Sequence, residues 1–205
     1  RTDVTENWPA LMDEGISISQ TTKASTEEEK LDLEIVAADA NLFSALMLLA
    51  LERKSGKLKG AWRLKKAWAT YSNLLRRPST PTEISDCVKC GAGLFMFLLS
   101  WLPGWLVTLL EIVGFQNNRE IGLHMLSEVS ENSGLRSPVA TLIILLHLLV
   151  LPRAFMEARE LVAQAQPVID RALSRWPGGP LFHWMASYSS RKIGDGDGAV
   201  AHLDA

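Results

Sequence analysis

Apolar positions recur at three- and four-residue spacing along most of the chain. In the first such segment the recurring positions are Ile35, Leu42, Phe43, Leu46, Leu49 and Ala50. This spacing places apolar side chains on one face of an α-helix, and no segment shows the two-residue alternation that is typical of a strand. The pattern therefore predicts an all-α fold.

Capping and turn residues divide this pattern into eight or nine helices. Ser25 and Glu28 match a capping box at the start of the first helix, and Ser55-Gly56 predicts its end. Short loops between helices make neighbours antiparallel, so we expect stacked antiparallel helix pairs. The further helices are predicted at 57–76, 83 to Pro103-Gly104, a short stretch ending at Gly114, Asn117 or Asn118 to 132, Ser137-Pro138 to 152, 154–176 with a kink or break at Pro167, 181–192, and a last helix after the 194–198 turn.

The first residues differ from the rest of the chain. Residues 1–24 combine Pro9, Gly15 and several Ser and Thr with little periodicity, which predicts a linker or a loosely held edge. Residues 25–205 are predicted to form one helical-repeat domain. We expect that domain to be a fragment truncated at both ends, because the chain begins at Arg1 and stops inside a helical pattern at Ala205.

The composition supports a folded interior and gives little direct indication of function. Among 205 residues, 47% are hydrophobic and 21% are charged, which is enough apolar material for a sizeable core. The net charge of −2 gives no reason to expect nucleic acid binding. Two cysteines do not make a disulfide framework, so the default is a reducing compartment.

One helix pair near the end fits a repeat pattern. Large apolar and small residues alternate there in the order expected of a tetratricopeptide repeat, in which small residues let two helices approach closely. The fit needs one extra residue in the 194–198 turn. The matching positions are Phe182, Met185, Ala186, Ala199 and Leu203.

Three longer stretches resemble a known family. They are KGAWRLKKAW at 59–68, GAGLFMFLLSWLPGWLVTLLEIVGFQNNREIGLHML at 91–126, and PVATLIILLHLLVLPR at 138–153. Together they resemble the tetratricopeptide repeat protein 39 family, which includes the fungal inclusion body clearance proteins of the mitochondrial outer membrane. The chain departs from the family pattern at Pro103-Gly104, where the family has Pro-Pro, and at Asn117-Asn118, where it has Gly-Asp. Both changes keep turn-forming residues.

This resemblance implies a tetratricopeptide-like solenoid that binds proteins, with a role in inclusion-body clearance or protein quality control. It implies no catalytic residue, no cofactor and no small-molecule substrate. The location that follows is the cytoplasm, the nucleus or the outer surface of the mitochondrion.

The charges of the chain are segregated along its length. Residues 1–52 carry eleven acids and three bases, whereas 53–77 carry nine bases and no acid. Within this basic helix, Leu58, Ala61, Trp62, Trp68 and Leu75 are expected to form one apolar stripe, and Lys65 falls inside that stripe.

Three functions remain open for the basic helix. Its apolar side could pack in the core while its charges pair with the acidic first helix, it could bind an acidic partner, or it could lie on an anionic membrane. For a partner site, the candidate contact residues are Lys57, Lys59, Arg63, Lys65 and Lys66.

A second unusual segment has no charge from Cys90 to Leu110. It is long enough to span a bilayer, but Pro103-Gly104 divides it into two short helices. We expect a buried helical hairpin, with a membrane-inserted hairpin as the alternative. The second reading would make the chain a membrane-associated adaptor that uses this hairpin together with the basic helix.

The remaining motifs do not predict chemistry. Cys87 and Cys90 lack the preceding strand of a redox site and the further ligands of a zinc site, so they are expected to be core residues. His124 and His147, in apolar helices, are expected to be core or groove residues, and Gly91 with Gly93 indicates close helix packing. No nucleophile, phosphate-binding or metalloprotease motif is present. The sequence thus predicts a non-catalytic scaffold without metal or cofactor.

Overall fold

The described elements of the computed structural model are helices. The described residues are 13–14, 16–18, 22–50, 54–78, 81–100, 104, 108, 111, 118–151 and 157–204. The helices are α1 (Glu27–Ala50), α2 (Lys54–Leu75), α3 (Thr82–Leu99), α4 (Arg119–Glu131), α5 (Ser137–Leu145) continued by a π-helical turn (Leu146–Val150), α6 (Ala158–Arg175), α7 (Pro180–Lys192) and α8 (Gly196–Leu203).

Consecutive helices pack on one another within two units of the chain. Helices α1, α2 and α3 pack together in the unit Arg1–Met125, and α5 to α8 pack together in the unit Leu126–Ala205. The predicted all-α fold, with antiparallel helix pairs stacked as a tetratricopeptide-like solenoid, is confirmed. The predicted single domain at 25–205 stays a prediction, and most of the predicted linker at 1–24 lies outside the described residues.

Small residues bring α1 and α2 close together. A Cβ atom at Gly60 would lie 3.0 Å from the Leu49 side chain and 3.2 Å from the Ala45 carbonyl oxygen of α1. Close approach of this kind lets the surrounding apolar side chains interdigitate at high density. The buried residues of this core are Ala38, Leu42, Ala45, Leu64, Ala67, Tyr71, Ala92, Phe95, Met96 and Leu99.

Helix α3 closes this core through a glycine. A Cβ atom at Gly91 would lie only 2.5 Å from the Tyr71 ring, so the ring occupies the space that any larger residue would need. Phe95 of α3 meets Tyr71 edge-on, at a centroid distance of 6.3 Å, and stacks on Trp68 at 5.3 Å. The predicted role of Gly91 in close helix packing is confirmed.

In the second unit, α6 and α7 pack on the end of α5. Their buried face includes Ile169, Phe182, Met185 and Ala186, and Trp176 stacks on Phe182 at a centroid distance of 5.0 Å. Of the five predicted repeat positions, four are buried, whereas Leu203 is 62% exposed and is not a core residue. Helix α6 continues through Pro167, so the predicted break does not occur there.

Several helix starts differ by one residue from their prediction. The capping box at α1 uses Thr26 and Glu29, not Ser25 and Glu28: the Glu29 amide donates to Thr26 Oγ1 at 3.2 Å, and the Thr26 amide donates to the Glu29 carboxylate at 3.3 Å. At α5 the Ser137 hydroxyl donates to the Ser130 carbonyl at 3.1 Å and does not cap its own helix.

Other boundaries follow the expected chemistry or correct it. Asn118 accepts the Ile121 amide at 3.1 Å and caps α4 as predicted. Asp195 accepts the Gly198 amide at 2.9 Å and caps α8. Ser55 and Gly56 do not end the first helix, because both lie within the first turn of α2.

The uncharged segment is described only in its first half. From Cys90 to Leu99 it belongs to α3, whose inner side is buried against α1 and α2. Most of its second half, from 101 to 110, lies outside the described residues. Among the helices that the structure describes, none combines the length and apolar character needed to cross a membrane.

Candidate partner surface on α2

Helix α2 has a face of small and large residues in the core and a face of exposed large residues in solvent. Gly60, Leu64, Ala67 and Tyr71 are buried at four- and three-residue steps. A residue two positions along a helix lies on nearly the opposite side, because each residue turns the helix by about 100°. The face opposite the core therefore contains Leu58, Trp62, Lys65 and Ala69, all exposed.

This arrangement corrects the predicted apolar stripe. Leu58 is 76% exposed and Trp62 is 58% exposed, so neither is a core residue. Only Ala61, Trp68 and Leu75 of the predicted stripe pack against the buried cluster, and they do so as partly buried neighbours. The core side of α2 combines the small residues Gly60 and Ala67 with Leu64 and Tyr71, and the small residues give no signal in a search for large apolar side chains.

We call the exposed side of α2 the outer face, and define it by the residues Leu58, Lys59, Trp62, Lys65 and Lys66. The predicted position of Lys65 inside a buried apolar stripe is wrong, because Lys65 lies in solvent. Its ammonium stands 5.4 Å from the centre of the Trp62 ring, at the distance of a cation–π contact. Aromatic side chains are enriched at protein interfaces.

The five candidate contact residues have different surroundings. Lys57, Lys59, Lys65 and Lys66 are exposed, and no described carboxylate forms an ion pair with any of them. Arg63 is partly buried and already engaged, by the Asn41 side chain at 3.2 Å and by Asp13. The four lysines thus offer open positive charge, whereas Arg63 is bound within the chain.

An ion pair joins the acidic helix α1 to the end of the basic segment, away from the outer face. Arg77, just after α2, pairs with Glu34 of α1 at 3.0 Å. At the start of α1 the hydrogen bond and the charge of Lys30 hold the pKa of Glu27 below its ordinary value of 4.5. Neither contact neutralises the lysines of the outer face.

The other candidate residues do not assemble a reactive site. Cys90 is buried and Cys87 packs beside the small cluster of Ile35, Leu74, Ile84 and Val88. Among the described residues no three metal-ligating side chains come together. His147 is buried as expected, but His124 is exposed on α4 and is not a core residue.

Comparison with known proteins identifies the family. A family model described as Iml2/Tetratricopeptide repeat protein 39 matches residues 5–205, and the chain belongs to this family. No solved structure matches the chain.

Proposed function

We propose that this member of the Iml2/Tetratricopeptide repeat protein 39 family is a non-catalytic scaffold that binds an acidic protein segment on the outer face of α2. The observation that supports it best is the exposure of Trp62 and Leu58 among lysines, opposite the core side of their helix. Helical-repeat proteins recognise partners through extended surfaces, and Trp is among the residues that contribute most at interfaces.

The chemistry of the surface fits one kind of partner. Leu58 and Trp62 lie one turn apart and offer a joined apolar contact, while the surrounding lysines attract carboxylates. A helix with apolar residues on one side and acids along its edges would satisfy both features. A basic partner would leave the lysines unused.

The charge contribution is tested by reversal. Lys57, Lys59, Lys65 and Lys66 are changed together to glutamate, and proteins retained from a lysate by the full-length chain are compared by mass spectrometry. The control reverses four exposed cations elsewhere, Lys23, Arg76, Arg159 and Arg191, which gives the same change in net charge. Loss of acidic partners in the first variant alone supports the proposal, and identical retention by both variants contradicts it.

The apolar contribution is tested separately by Trp62→Ala, with Leu135→Ala as a control on another exposed apolar residue, away from α2. A captured partner should bind at least tenfold more weakly to the Trp62 variant, because hot-spot tryptophans contribute about 2 kcal/mol or more. Equal affinity of both variants would show that Trp62 does not contribute to partner binding.

The same exposed tryptophan and lysines favour a second candidate, attachment of α2 to an anionic membrane surface as part of a membrane-associated adaptor. Flotation with vesicles separates the two. Binding to anionic but not neutral vesicles that is lost on Trp62→Ala and on lysine reversal supports attachment, whereas failure to float leaves the protein partner as the function of this face.

The same proposal includes a role in inclusion-body clearance or protein quality control. It also includes a location in the cytoplasm, in the nucleus or at the mitochondrial outer membrane. Family membership supports both. Imaging of the tagged full-length protein before and after aggregation stress tests both. Recruitment to inclusions that requires the α2 lysines would connect the surface to that role.

A further inference from the structure

An acidic segment of the chain itself already contacts the flank of α2. Asp13 forms an ion pair with Arg63, whose guanidinium donates a hydrogen bond to the Asp13 carboxylate. The Arg63 side chain is 20% exposed and that of Asp13 is 56% exposed, so the contact lies at the edge of the surface and not in the core.

The arginine is held in position to receive a carboxylate. Asn41 is buried, and its side-chain amide donates to the Ala37 carbonyl at 2.7 Å, which directs its oxygen toward Arg63. That oxygen accepts from Arg63 Nη1 at 3.2 Å, while Nη2 is the atom that meets Asp13. The fixed guanidinium therefore presents one side of its fork to an incoming acid.

The contacting segment contains both an acid and a buried apolar residue. Residues 13, 14 and 16–18 are helical, and Ile16 is only 7% exposed. Asp13 and Ile16 are three positions apart and so lie on one side of a helical turn. This combination of a carboxylate and a buried aliphatic side chain is the chemistry expected of an acidic partner.

We propose that residues 13–18 are an internal ligand of α2, which an acidic partner displaces from Arg63. The inference rests on the proposed function of the outer face. A partly exposed ion pair contributes little to stability. A partner carboxylate can therefore replace Asp13, and the partner gains Arg63 beside Lys59 and Lys66, the lysines of the outer face nearest to it around the helix.

The probe is a synthetic amphipathic helix with leucines on one side and glutamates along its edges. Its affinity is measured by titration calorimetry for the wild type, for Asp13→Asn and for the matched control Glu14→Gln, since Glu14 is an exposed acid next to Asp13. We expect Asp13→Asn to bind about two- to fivefold more tightly, the range that corresponds to a surface ion pair. Glu14→Gln should bind like the wild type.

Hydrogen exchange measured by mass spectrometry reports the segment directly. Saturating peptide should speed exchange of residues 13–18 in the wild type, and Arg63→Gln should speed it without peptide. Unchanged exchange on saturation, or unchanged affinity of Asp13→Asn, overturns the internal ligand while leaving the outer face as a binding site. If no variant binds the peptide, the proposed function and the competition both fail, and faster exchange in Arg63→Gln then describes a structural contact only.

Discussion

The two tryptophans of α2 have opposite roles although they lie in the same helix. Trp68 stacks on Phe95 against the buried cluster, whereas Trp62 projects from the outer face. We expect Trp68→Ala to lower the free energy of unfolding by about 3 kcal/mol, because it removes a large packed ring. Trp62→Ala should change it by less than about 0.5 kcal/mol. Urea unfolding followed by circular dichroism measures both, and equal losses would contradict the orientation of α2.

Gly91, which has only a hydrogen atom as its side chain, lets α3 approach α2 closely. Gly91→Ala would place a Cβ atom 2.5 Å from the Tyr71 ring, and Tyr71 cannot move freely because it is fully buried and hydrogen-bonded to Asp39. We expect a loss of about 1–3 kcal/mol, the usual cost of overpacking, although alanine is the better helix former. Gly178→Ala, with open space around its Cβ position, is the control. Equal stability of both variants would contradict the close approach at Gly91.

How far residues can be placed from sequence is clearest in α2. The presence of helix α2 was predicted from the sequence, and so was close helix packing at Gly91 in α3. The rotation of α2 about its axis could not be predicted from the sequence, because Gly60 and Ala67 face the core although they offer little apolar area. Once small residues bring α1 close, Leu58 and Trp62 must face outward. The exposed lysines of α2 could thus be predicted from the sequence, but the exposure of Leu58 and Trp62 could not.

At the scale of one helix, the start of α1 distinguishes two capping boxes that differ by one residue. The structure uses Thr26 and Glu29, which exchange hydrogen bonds between their side chains and backbone amides. Thr26→Ala should therefore lower the free energy of unfolding by about 1 kcal/mol. Ser25→Ala should be nearly neutral, because its backbone amide and not its hydroxyl contacts Glu29. Chemical denaturation measures both losses of stability. A larger loss for Ser25→Ala than for Thr26→Ala would indicate that Ser25 forms the capping box.

The end of α4 depends on a residue from α6. Arg175 donates to the carbonyl oxygens of Ser130, Glu131 and Asn132 at 3.0, 2.6 and 2.9 Å, and so satisfies groups that a helix end leaves without partners. No motif predicts this contact, since the residues are far apart in the sequence. We expect Arg175→Ala to cost about 2 kcal/mol of unfolding free energy.

Two controls make the test of Arg175 specific. Arg175→Lys keeps the charge but loses the planar fork, so it should recover only part of the stability. Arg171→Ala removes a single ion pair to Glu131 at 3.6 Å, between side chains that are 38% and 62% exposed, and should cost less than about 0.5 kcal/mol. If all three variants unfold at the same denaturant concentration as the wild type, Arg175 does not hold the end of α4.

Across the whole molecule, the near-zero net charge conceals a division that should govern association. Eleven acids lie in residues 1–52 and nine bases in 53–77. In the first unit, the described ion pairs at Glu34 and Asp13 compensate only Arg77 and Arg63 of that basic run. The lysines of the outer face therefore keep their charge available, and binding of an acidic partner should depend on salt in a way that the total charge does not suggest.

That dependence can be separated from the apolar contact. Raising salt from 0.05 to 0.5 M shortens the screening length from roughly 14 to 4 Å, so acidic-peptide affinity should fall about tenfold or more, mainly through a slower association rate. Trp62→Ala should bind more weakly at both salt concentrations but keep the same ratio between them. Reversal of the four lysines to glutamate should remove the fall in affinity with salt or turn it into a rise, because salt then screens repulsion. Stopped-flow fluorescence provides the rates, and affinity that is insensitive to salt in the wild type would mean that the apolar contact acts without help from the charges.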